Sequence, residues 1–324
     1  MPCHEVYAAA VDLVPVVDIS NPSATSLADL DRACRDHGFF LLAGHGIDEV
    51  IARTFEAGRR FFDAPPEVKG AIRRDERNPL GYNDRELTKR RRDRKEVFDL
   101  VDPVQGRASH YNRWPELDGF RDAVVEHYDA CSDLAERVTD LVLAALGLPP
   151  EVQAAHRGDR TASNMRLNHY TLGDPVPADE RHGLADLADV ALGHHTDLGL
   201  VTLLIQDDVG GLQAESGEHG WIDVEPMPGS IVINLGDCMQ VWTNDRYRAA
   251  VHRVLPMTTS TRMSIPYFLN PARDRVVEPV RDLAHDGPRY RPFPFKQFID
   301  ARSADNYADA GAPDAQISDF RISA

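Results

Sequence analysis

The stretch "ALGHHTDLGLVTLLIQ" (Ala191–Gln206) places two histidines and an aspartate directly before an apolar run. The apolar run is short and continuous, which predicts a buried strand. Ionisable side chains at the mouth of a buried strand are costly unless another group binds or pairs with them. Something must therefore hold His194, His195 and Asp197 in place.

Further short strands surround this stretch from about Ser163 onward, and Gly, Pro, Asp or Asn turns separate them. They are "NMRLNHY", "LGLVTLLIQ", "GGLQAE", "GWIDVEP", "SIVINLGD", "YRAAVHRVLP" and "TRMSIPYFLN". This spacing is typical of an all-β sandwich or jelly roll. The lack of helices between the strands argues against a doubly wound α/β sheet. We therefore expect a mainly β fold with a helical N-terminal part.

The N-terminal part alternates short strands with helices. "LVPVVDIS" and "FFLLAGHGI" predict strands, whereas "SLADLDRACRDHG", with Ser26 as its cap, and Ile47–Phe62 predict helices. The clearest helix lies between Glu116 and Gly147, where apolar residues recur at three- and four-residue steps. We expect this helix to buttress the β core.

The chain is expected to divide into four regions. They are an N-terminal cap region (1–110), the buttressing helix (111–160), the β core (161–280) and a C-terminal extension (281–324). The extension is rich in Pro and Asp and contains one predicted short helix, "FKQFIDARSADNY".

Composition narrows the class of protein. The 324 residues include 36 Lys and Arg against 52 Asp and Glu, and the net charge of −16 argues against a nucleic-acid partner. No apolar run is long enough to span a bilayer, and "MPCHEVYAAAVDL" does not resemble a signal peptide. The four cysteines (Cys3, Cys34, Cys131, Cys238) are scattered, which indicates a reduced compartment. We expect a cytoplasmic protein without a membrane partner, either a monomer or a weak homo-oligomer.

The histidines and the aspartate predict a metal site. Side chains alternate along a strand, so His195 and Asp197 share one face while His194 and Thr196 point away. His252 in "AAVHRVLP" is the best third ligand, because it also interrupts an apolar strand. Two histidines and one carboxylate form the facial triad of non-haem iron(II) oxygenases. Taken alone the pattern is weak, since a hydrogen-bonded histidine and a turn aspartate would look the same.

The following strand strengthens this interpretation. "TRMSIPYF" follows "VHRVLPMTTS" through a polar turn, which predicts a hairpin with Ser264 opposite His252. Arg262 lies on the same face as Ser264. A guanidinium and a hydroxyl beside a metal suit a dicarboxylate whose far end must be anchored. Tyr170 in "MRLNHYT" can add a phenolic donor to that carboxylate.

In these motifs the chain resembles a known family, the isopenicillin N synthase-like 2-oxoglutarate- and Fe(II)-dependent dioxygenases. "HTD", "HRV" and "RMS" match its H-x-D, distal histidine and R-x-S motifs in order, and "MRLNHY" is similar to its N-x-Y segment. "ACRDHGFFLLAGHGI", "FFDAPPEVK", "GYNDRELTKRRRDRKEVFDL" and "GDCMQVWTNDRYRAAVHRV" resemble its cap and its barrel. The resemblance extends from about Val14 to Tyr307.

The resemblance implies a double-stranded β-helix core that uses Fe(II), 2-oxoglutarate and O2. The implied ligands of Fe(II) are His195, Asp197 and His252. The residues implied to contact the 2-oxoglutarate carboxylate are Arg262, Ser264 and Tyr170. Asn168 matches the asparagine of N-x-Y, where a cosubstrate contact and a structural role are both open.

The resemblance implies oxidation of a small metabolite, of the kind found in secondary metabolism, with release of succinate and CO2. Hydroxylation is the default outcome, and desaturation or ring closure are alternatives. The chain departs from many plant members at His169 and Thr171, which flank Tyr170, and at Arg94 within "DRKE". These departures argue against transferring a plant enzyme's substrate.

Three other functions stay open on the sequence. An Fe(II) oxidase of the same fold could use the R-x-S motif on a substrate carboxylate instead of 2-oxoglutarate. A zinc hydrolase could use the same three ligands. A non-catalytic jelly-roll protein is the third alternative.

Several segments have two interpretations each. The basic run "KRRRDRKE" (Lys89–Glu96) predicts a solvated face, or else an attractor for an anionic substrate. The acidic segment Thr171–Gly193 predicts a rim or lid, or else an idle insertion. We expect His194 to be a structural histidine or one that supports the metal ligands, and Phe268 to belong to the core.

Overall fold

The computed structural model describes residues 13–88, 90–106, 108–217, 219–303 and 315–322. These residues form a mainly β structure with several helices. The strands are β1 (Val16–Asp18), β2 (Phe39–Ala43), β3 (Gly81–Asn83), β4 (Leu87–Thr88), β5 (Arg91–Arg92), β6 (Lys95–Val101), β7 (Asn164–Tyr170), β8 (Leu192–His195), β9 (Val201–Gln206), β10 (Leu212–Ser216), β11 (Gly220–Asp223), β12 (Ser230–Leu235), β13 (His252–Val254), β14 (Arg262–Leu269), β15 (Val276–Val277) and β16 (Phe293–Pro294).

The helices precede, interrupt and follow the strands. They are α1 (Ala24–Asp36), α2 (Asp48–Phe62), α3 (Pro66–Gly70), α4 (Phe120–Ala145), α5 (Pro150–Ala155), α6 (Asp237–Trp242) and α7 (Phe295–Ser303). Within the described ranges, no helix combines the length and the apolar character needed to cross a membrane.

Two sheets form the body of the fold. The larger sheet has the strand order β1-β2-β12-β9-β14-β7-β6-β3, and the smaller has the order β11-β10-β13-β8. The larger sheet is open, with β1 and β3 at its edges. A hydrophobic cluster joins the two sheets, in which Leu204 and Val232 of the larger accompany Leu212 and Val254 of the smaller.

The strand β14 shows how the larger sheet divides core from cavity. Its side chains alternate, so that Ile265 and Tyr267 belong to the core cluster that also contains α4. The ring of Tyr267 lies 5.1 Å from that of Tyr128 in α4. Arg262 and Ser264, which have the opposite parity along the strand, face a cavity on the other side of the sheet.

The predicted helices are present, with one error of detail. The helix predicted between Glu116 and Gly147 is α4, which contacts β9 and β14, and the helix predicted at Ile47–Phe62 is α2. Ser26 does not cap α1, because Ser23 does: the Ser23 hydroxyl accepts a hydrogen bond from the Ser26 backbone N–H. Ser26 completes a capping box from the third helical position.

The predicted hairpin between the strands of His252 and Ser264 is wrong. β13 pairs with β8 and β10 in the smaller sheet, whereas β14 pairs with β7 and β9 in the larger. Ser264 therefore lies opposite Asn168 and Gln206 rather than opposite His252. The polar connection crosses from one sheet to the other, as the two-layered architecture requires.

The basic run is not mainly a solvated face, because Arg92 and Arg94 contact the acidic segment that follows Tyr170. The Arg92 guanidinium donates two hydrogen bonds of 2.8 Å to the carboxylate of Asp174 and one of 2.7 Å to the carbonyl of Ala185. The Arg94 side chain donates to the Ala188 carbonyl at 2.7 Å. The described part of the run, which excludes Lys89, therefore holds the acidic segment 171–193 in place.

Two other predictions fall partly outside the described residues. Cys34, Cys131 and Cys238 are buried and free, as expected for inert thiols, whereas Cys3 lies outside the described residues. The predicted helix "FKQFIDARSADNY" is present as α7 up to Ser303, and its remaining residues, 304–307, lie outside them as well.

Candidate active site

Two histidines and an aspartate converge between the sheets. His195 ends β8, and His252 begins β13 directly opposite it. Asp197 lies two residues beyond the end of β8, in the turn that leads to β9. One ligand atom from each residue lies within 4.8 Å of the other two. The Asp197 Oδ1 is 3.7 Å from His195 Nε2 and 3.8 Å from His252 Nε2, a spacing that can hold a metal ion.

The surrounding hydrogen bonds orient these three side chains. Nδ1 of His195 lies 2.8 Å from the Gly193 carbonyl, and Nδ1 of His252 lies 3.0 Å from the Ala250 carbonyl. A carbonyl can only accept, so each Nδ1 carries a proton, and this fixes the tautomer in which Nε2 is the ligating atom. This arrangement directs both Nε2 atoms at one point.

The carboxylate of Asp197 is held in the same way. Its Oδ2 accepts hydrogen bonds from the Thr202 hydroxyl at 2.5 Å and from the Asn234 amide at 2.8 Å. Its Oδ1 is left facing the imidazoles. Neither Thr202 nor Asn234 stood out in the sequence, because a polar residue within an apolar strand does not reveal which distant group it contacts.

Electrostatics favour the protonation states that bind a metal. Burial, together with the neighbouring His252 imidazole, lowers the pKa of His195 to about 3. Burial alone would raise the pKa of the Asp197 carboxyl, but the two imidazoles and the two hydrogen bonds outweigh it and hold that pKa below its usual value. A deprotonated carboxylate and a neutral His195 imidazole are what a divalent metal requires.

A second polar centre lies on the larger sheet. Arg262 is 1% exposed, and its Nη2 donates to Gln206 Oε1 at 3.0 Å. Its Cζ lies 5.0 Å from the centre of the Tyr170 ring. The Nε and Nη1 atoms are buried and have no hydrogen-bond partner among the described residues. Buried donors are rarely left unpaired, so this site calls for an anionic ligand.

Ser264 and Asn168 lie beside this arginine as a cross-strand pair. The Asn168 amide lies 3.4 Å from the Ser264 hydroxyl, and the Asn168 Oδ1 is buried without a hydrogen-bond partner. Both oxygens therefore retain hydrogen-bonding capacity toward the cavity.

One cavity of about 600 Å³ connects both centres. Its wall includes all seven residues predicted for the site: Asn168, Tyr170, His195, Asp197, His252, Arg262 and Ser264. Both the metal-type cluster and the unpaired guanidinium therefore face the same space.

An ionic network on the cavity wall did not stand out in the sequence. Arg166 donates to both carboxylate oxygens of Glu86 at 2.7 and 2.8 Å and to those of Asp99 at 2.6 and 2.9 Å. The Lys95 ammonium lies 2.9 Å from Glu86 and 3.2 Å from Asp93. The available indication was the presence of charged residues in buried strands: Lys95 and Asp99 in β6, and Arg166 in β7.

Two further expectations need correction or refinement. Phe268 borders the cavity and is only partly buried, so it lies in the wall rather than in the core. It follows Pro266 on the cavity-facing side of β14, where alternation places it. His194 is exposed, borders the cavity, and lies edge-on to the Trp221 ring at 6.4 Å.

Comparison with known proteins identifies the family. A model of the "2OG-Fe(II) oxygenase superfamily" matches residues 161–271, and one described as "non-haem dioxygenase in morphine synthesis N-terminal" matches residues 14–117. The chain is 30% identical to flavonol synthase/flavanone 3-hydroxylase of Arabidopsis thaliana over 312 residues, 92% of this chain and 88% of that protein.

Two other proteins extend the likeness. The chain is 30% identical to homoarginine-6-hydroxylase 2-ODD-233 of Oryza sativa subsp. japonica, over 83% of this chain and 87% of the relative. The crystal structure of JOX2 in complex with 2OG, Fe and JA is similar with a TM-score of 0.74 at 27% identity, covering 88% of this chain and 83% of JOX2. The chain therefore belongs to the 2OG-Fe(II) oxygenase superfamily, as an isopenicillin N synthase-like dioxygenase that uses Fe(II), 2-oxoglutarate and O2.

Proposed function

We propose that this enzyme hydroxylates a small-molecule metabolite. The reaction converts the substrate, 2-oxoglutarate and O2 into the hydroxylated product, succinate and CO2. The observation that carries the proposal is the pair of centres in one cavity: three metal-type ligand atoms within 4.8 Å, and a buried guanidinium with two unpaired donors. Family membership argues against a zinc hydrolase and a non-catalytic binding protein.

Each of the three metal-type side chains has a defined role in this proposal. His195, Asp197 and His252 hold Fe(II) through two Nε2 atoms and the Asp197 Oδ1, which leaves coordination positions open. Fe(II), when bound there, supplies the activation of O2 that oxidation of a C–H bond requires. The backbone carbonyls at Gly193 and Ala250 keep both imidazoles in the ligating tautomer.

The residues of the larger sheet bind the cosubstrate. Arg262 offers Nε and Nη1 to the far carboxylate of 2-oxoglutarate, which gives each buried donor a charged partner. Ser264 and Tyr170 border the same part of the cavity and add hydroxyl donors. The unpaired Oδ1 of Asn168 makes this residue a further candidate contact, with the cross-strand contact to Ser264 as its structural role.

The architecture supports these roles. We interpret the two facing sheets as the double-stranded β-helix of the family, with α4 as the buttress of the larger sheet. The division into residues 1–110, 111–160, 161–280 and 281–324 stays a prediction. The predicted cytoplasmic location, the monomeric or weakly oligomeric state and the lack of nucleic-acid or membrane partners also remain to be tested, as does a lid role for segment 171–193.

The substrate does not follow from the relatives. Their names refer to flavonoids in one case and to homoarginine in another. Enzymes of this family act on small molecules, and the wall beside the Arg262 site carries both the Arg166–Asp99 pair and the Phe268 ring. A screen should therefore include polar amino acids as well as aromatic metabolites.

The decisive experiment measures succinate. Purified enzyme with Fe(II) under air is supplied with 2-oxoglutarate and a substrate library, and substrate-stimulated succinate release is recorded. His195→Ala, Asp197→Ala and His252→Ala should abolish it, whereas the exposed His194→Ala should keep most activity. Turnover of the substrate without any 2-oxo acid would instead reassign Arg262 to a substrate carboxylate, as in the Fe(II) oxidase alternative.

A further inference from the structure

The C-terminal helix α7 reaches the start of the turn after β8, between two of the three metal-type ligands. Arg302, near the end of α7, has only 11% of its side chain exposed. Its Nη2 donates to the Thr196 carbonyl at 3.1 Å and lies 3.3 Å from the Thr196 hydroxyl. Thr196 stands between His195 and Asp197, so the guanidinium contacts the one residue that separates these two side chains.

The other side of the guanidinium is also engaged. Its Nη1 donates to the Ala315 carbonyl and to Gln316 Oε1, both at 2.9 Å. The same atom lies 3.8 Å from Asp237 Oδ2, within ion-pair distance of a carboxylate that is 1% exposed. Arg302 therefore joins the C-terminal segment, the turn at Thr196 and the start of α6.

Asp237 fixes the same turn from the opposite side. Its backbone N–H donates to the Asp197 carbonyl at 2.7 Å. The packing here is close: a Cβ at Gly236 would lie 2.4 Å from the Gly199 carbonyl oxygen and 3.0 Å from that of Asp197. The carbonyls of two consecutive residues, Thr196 and Asp197, are thus held by Arg302 and Asp237 respectively.

We propose that Arg302 is a positioning residue for the metal. By fixing the peptide between His195 and Asp197, it keeps the His195 Nε2 and the Asp197 Oδ1 directed at one point. The inference rests on the proposed function, because it assumes that these atoms bind Fe(II). It goes further in assigning to the C-terminal helix a part in metal affinity that the ligand motifs do not contain.

The planar guanidinium suits this role. A fork can contact the Thr196 carbonyl and the Ala315 carbonyl at once, whereas an ammonium is a single point with a shorter reach. Groups that orient metal ligands typically change metal affinity about 10- to 100-fold when they are removed. We therefore expect Arg302→Ala to weaken metal binding by at least about tenfold and Arg302→Lys to recover part of the loss.

The test measures Co(II) binding to the full-length protein without oxygen turnover. Co(II) is titrated anaerobically into wild type, Arg302→Ala, Arg302→Lys and Lys296→Ala, and both the Kd and the visible ligand-field spectrum are recorded. Lys296 is the matched control, since it is a basic residue of the same helix whose side chain is 63% exposed. The melting temperature of each metal-free protein is measured alongside.

The expected result is a raised Kd and a changed spectrum for Arg302→Ala, a partial return for Arg302→Lys, and wild-type behaviour for Lys296→Ala. A folded Arg302→Ala protein with a wild-type Kd and spectrum overturns the proposal, even if its melting temperature is lower. Should Arg302→Ala fail to fold, Arg302→Lys decides, and a wild-type Kd there overturns it equally. The His195→Ala variant tests the proposed metal site separately from the role of Arg302. If His195→Ala binds Co(II) like wild type, the proposed metal site itself is wrong.

Discussion

Removal of the Arg262 guanidinium should abolish high-affinity binding of 2-oxoglutarate and leave metal binding intact. The guanidinium is buried, and its Nε and Nη1 have no hydrogen-bond partner within the described part of the chain. Its desolvation has therefore already been incurred on folding, so that nearly the full interaction appears in the binding free energy. A hydrogen bond to a charged group contributes about 1.5–3 kcal/mol, and two such bonds contribute about 3–6 kcal/mol. Since about 1.4 kcal/mol corresponds to a factor of ten, the Kd of 2-oxoglutarate should rise at least about a hundredfold in Arg262→Met.

The assay is an anaerobic titration of 2-oxoglutarate into the Fe(II)-loaded protein, followed by its visible charge-transfer band. Succinate release under air provides the second measurement. Methionine is chosen because it fills a similar volume without the buried charge, so the metal-free Arg262→Met protein should be at least as stable as wild type to urea. The control is Arg53→Ala, which removes an exposed arginine on α2 that pairs with Glu126. An unchanged Kd of 2-oxoglutarate in Arg262→Met would refute the assignment of this arginine to the cosubstrate.

Three further predictions concern other contacts. Asn234→Ala removes a hydrogen bond to Asp197 and should raise the Kd of Co(II) about tenfold, and an unchanged Kd would show that this bond does not orient the carboxylate. Arg92→Ala removes two charged hydrogen bonds to the nearly buried Asp174 carboxylate, which keeps the ion pair with Arg181 at 3.2 Å, and should destabilise the fold by about 1.5–3 kcal/mol in urea. Proteolysis within residues 171–193 should also be faster, whereas the exposed Arg91→Ala should change stability by less than about 1 kcal/mol. Burial lowers the pKa of His127 from 6.5 to about 4, so the unfolded chain binds more protons in that window and stability is lost as the pH falls through it. His127→Phe should therefore reduce the pH dependence of the unfolding free energy by up to about 1.4 kcal/mol per pH unit, and an unaltered slope would contradict a buried neutral imidazole.

Local patterns predicted much of this protein correctly. The helices α2 and α4 follow from apolar residues at three- and four-residue steps, because a helix buries one face whatever it packs against. The alternation of β14 likewise places Arg262 and Ser264 on one face. Each prediction depends only on the order of residues within one element. The ordered H-x-D, distal histidine and R-x-S motifs predicted which residues form the site.

The pairing of elements distant along the chain could not be predicted in the same way. The alternation of β13 and β14 is the same whether they form a hairpin or lie in different sheets, and the sheets are chosen by the burial of many remote side chains. The basic run shows the same limit, since its composition indicates charge but not that Arg92 meets Asp174.

Arg302 is the clearest case. It lies 106 residues from Thr196 along the chain, and no periodic feature of α7 distinguishes it from the exposed Lys296 of the same helix. Its contact exists because the whole β core brings the turn after β8 beside the C-terminal helix. Hydrophobic periodicity is a property of neighbours in sequence, whereas a polar contact of this kind is a property of the assembled tertiary fold.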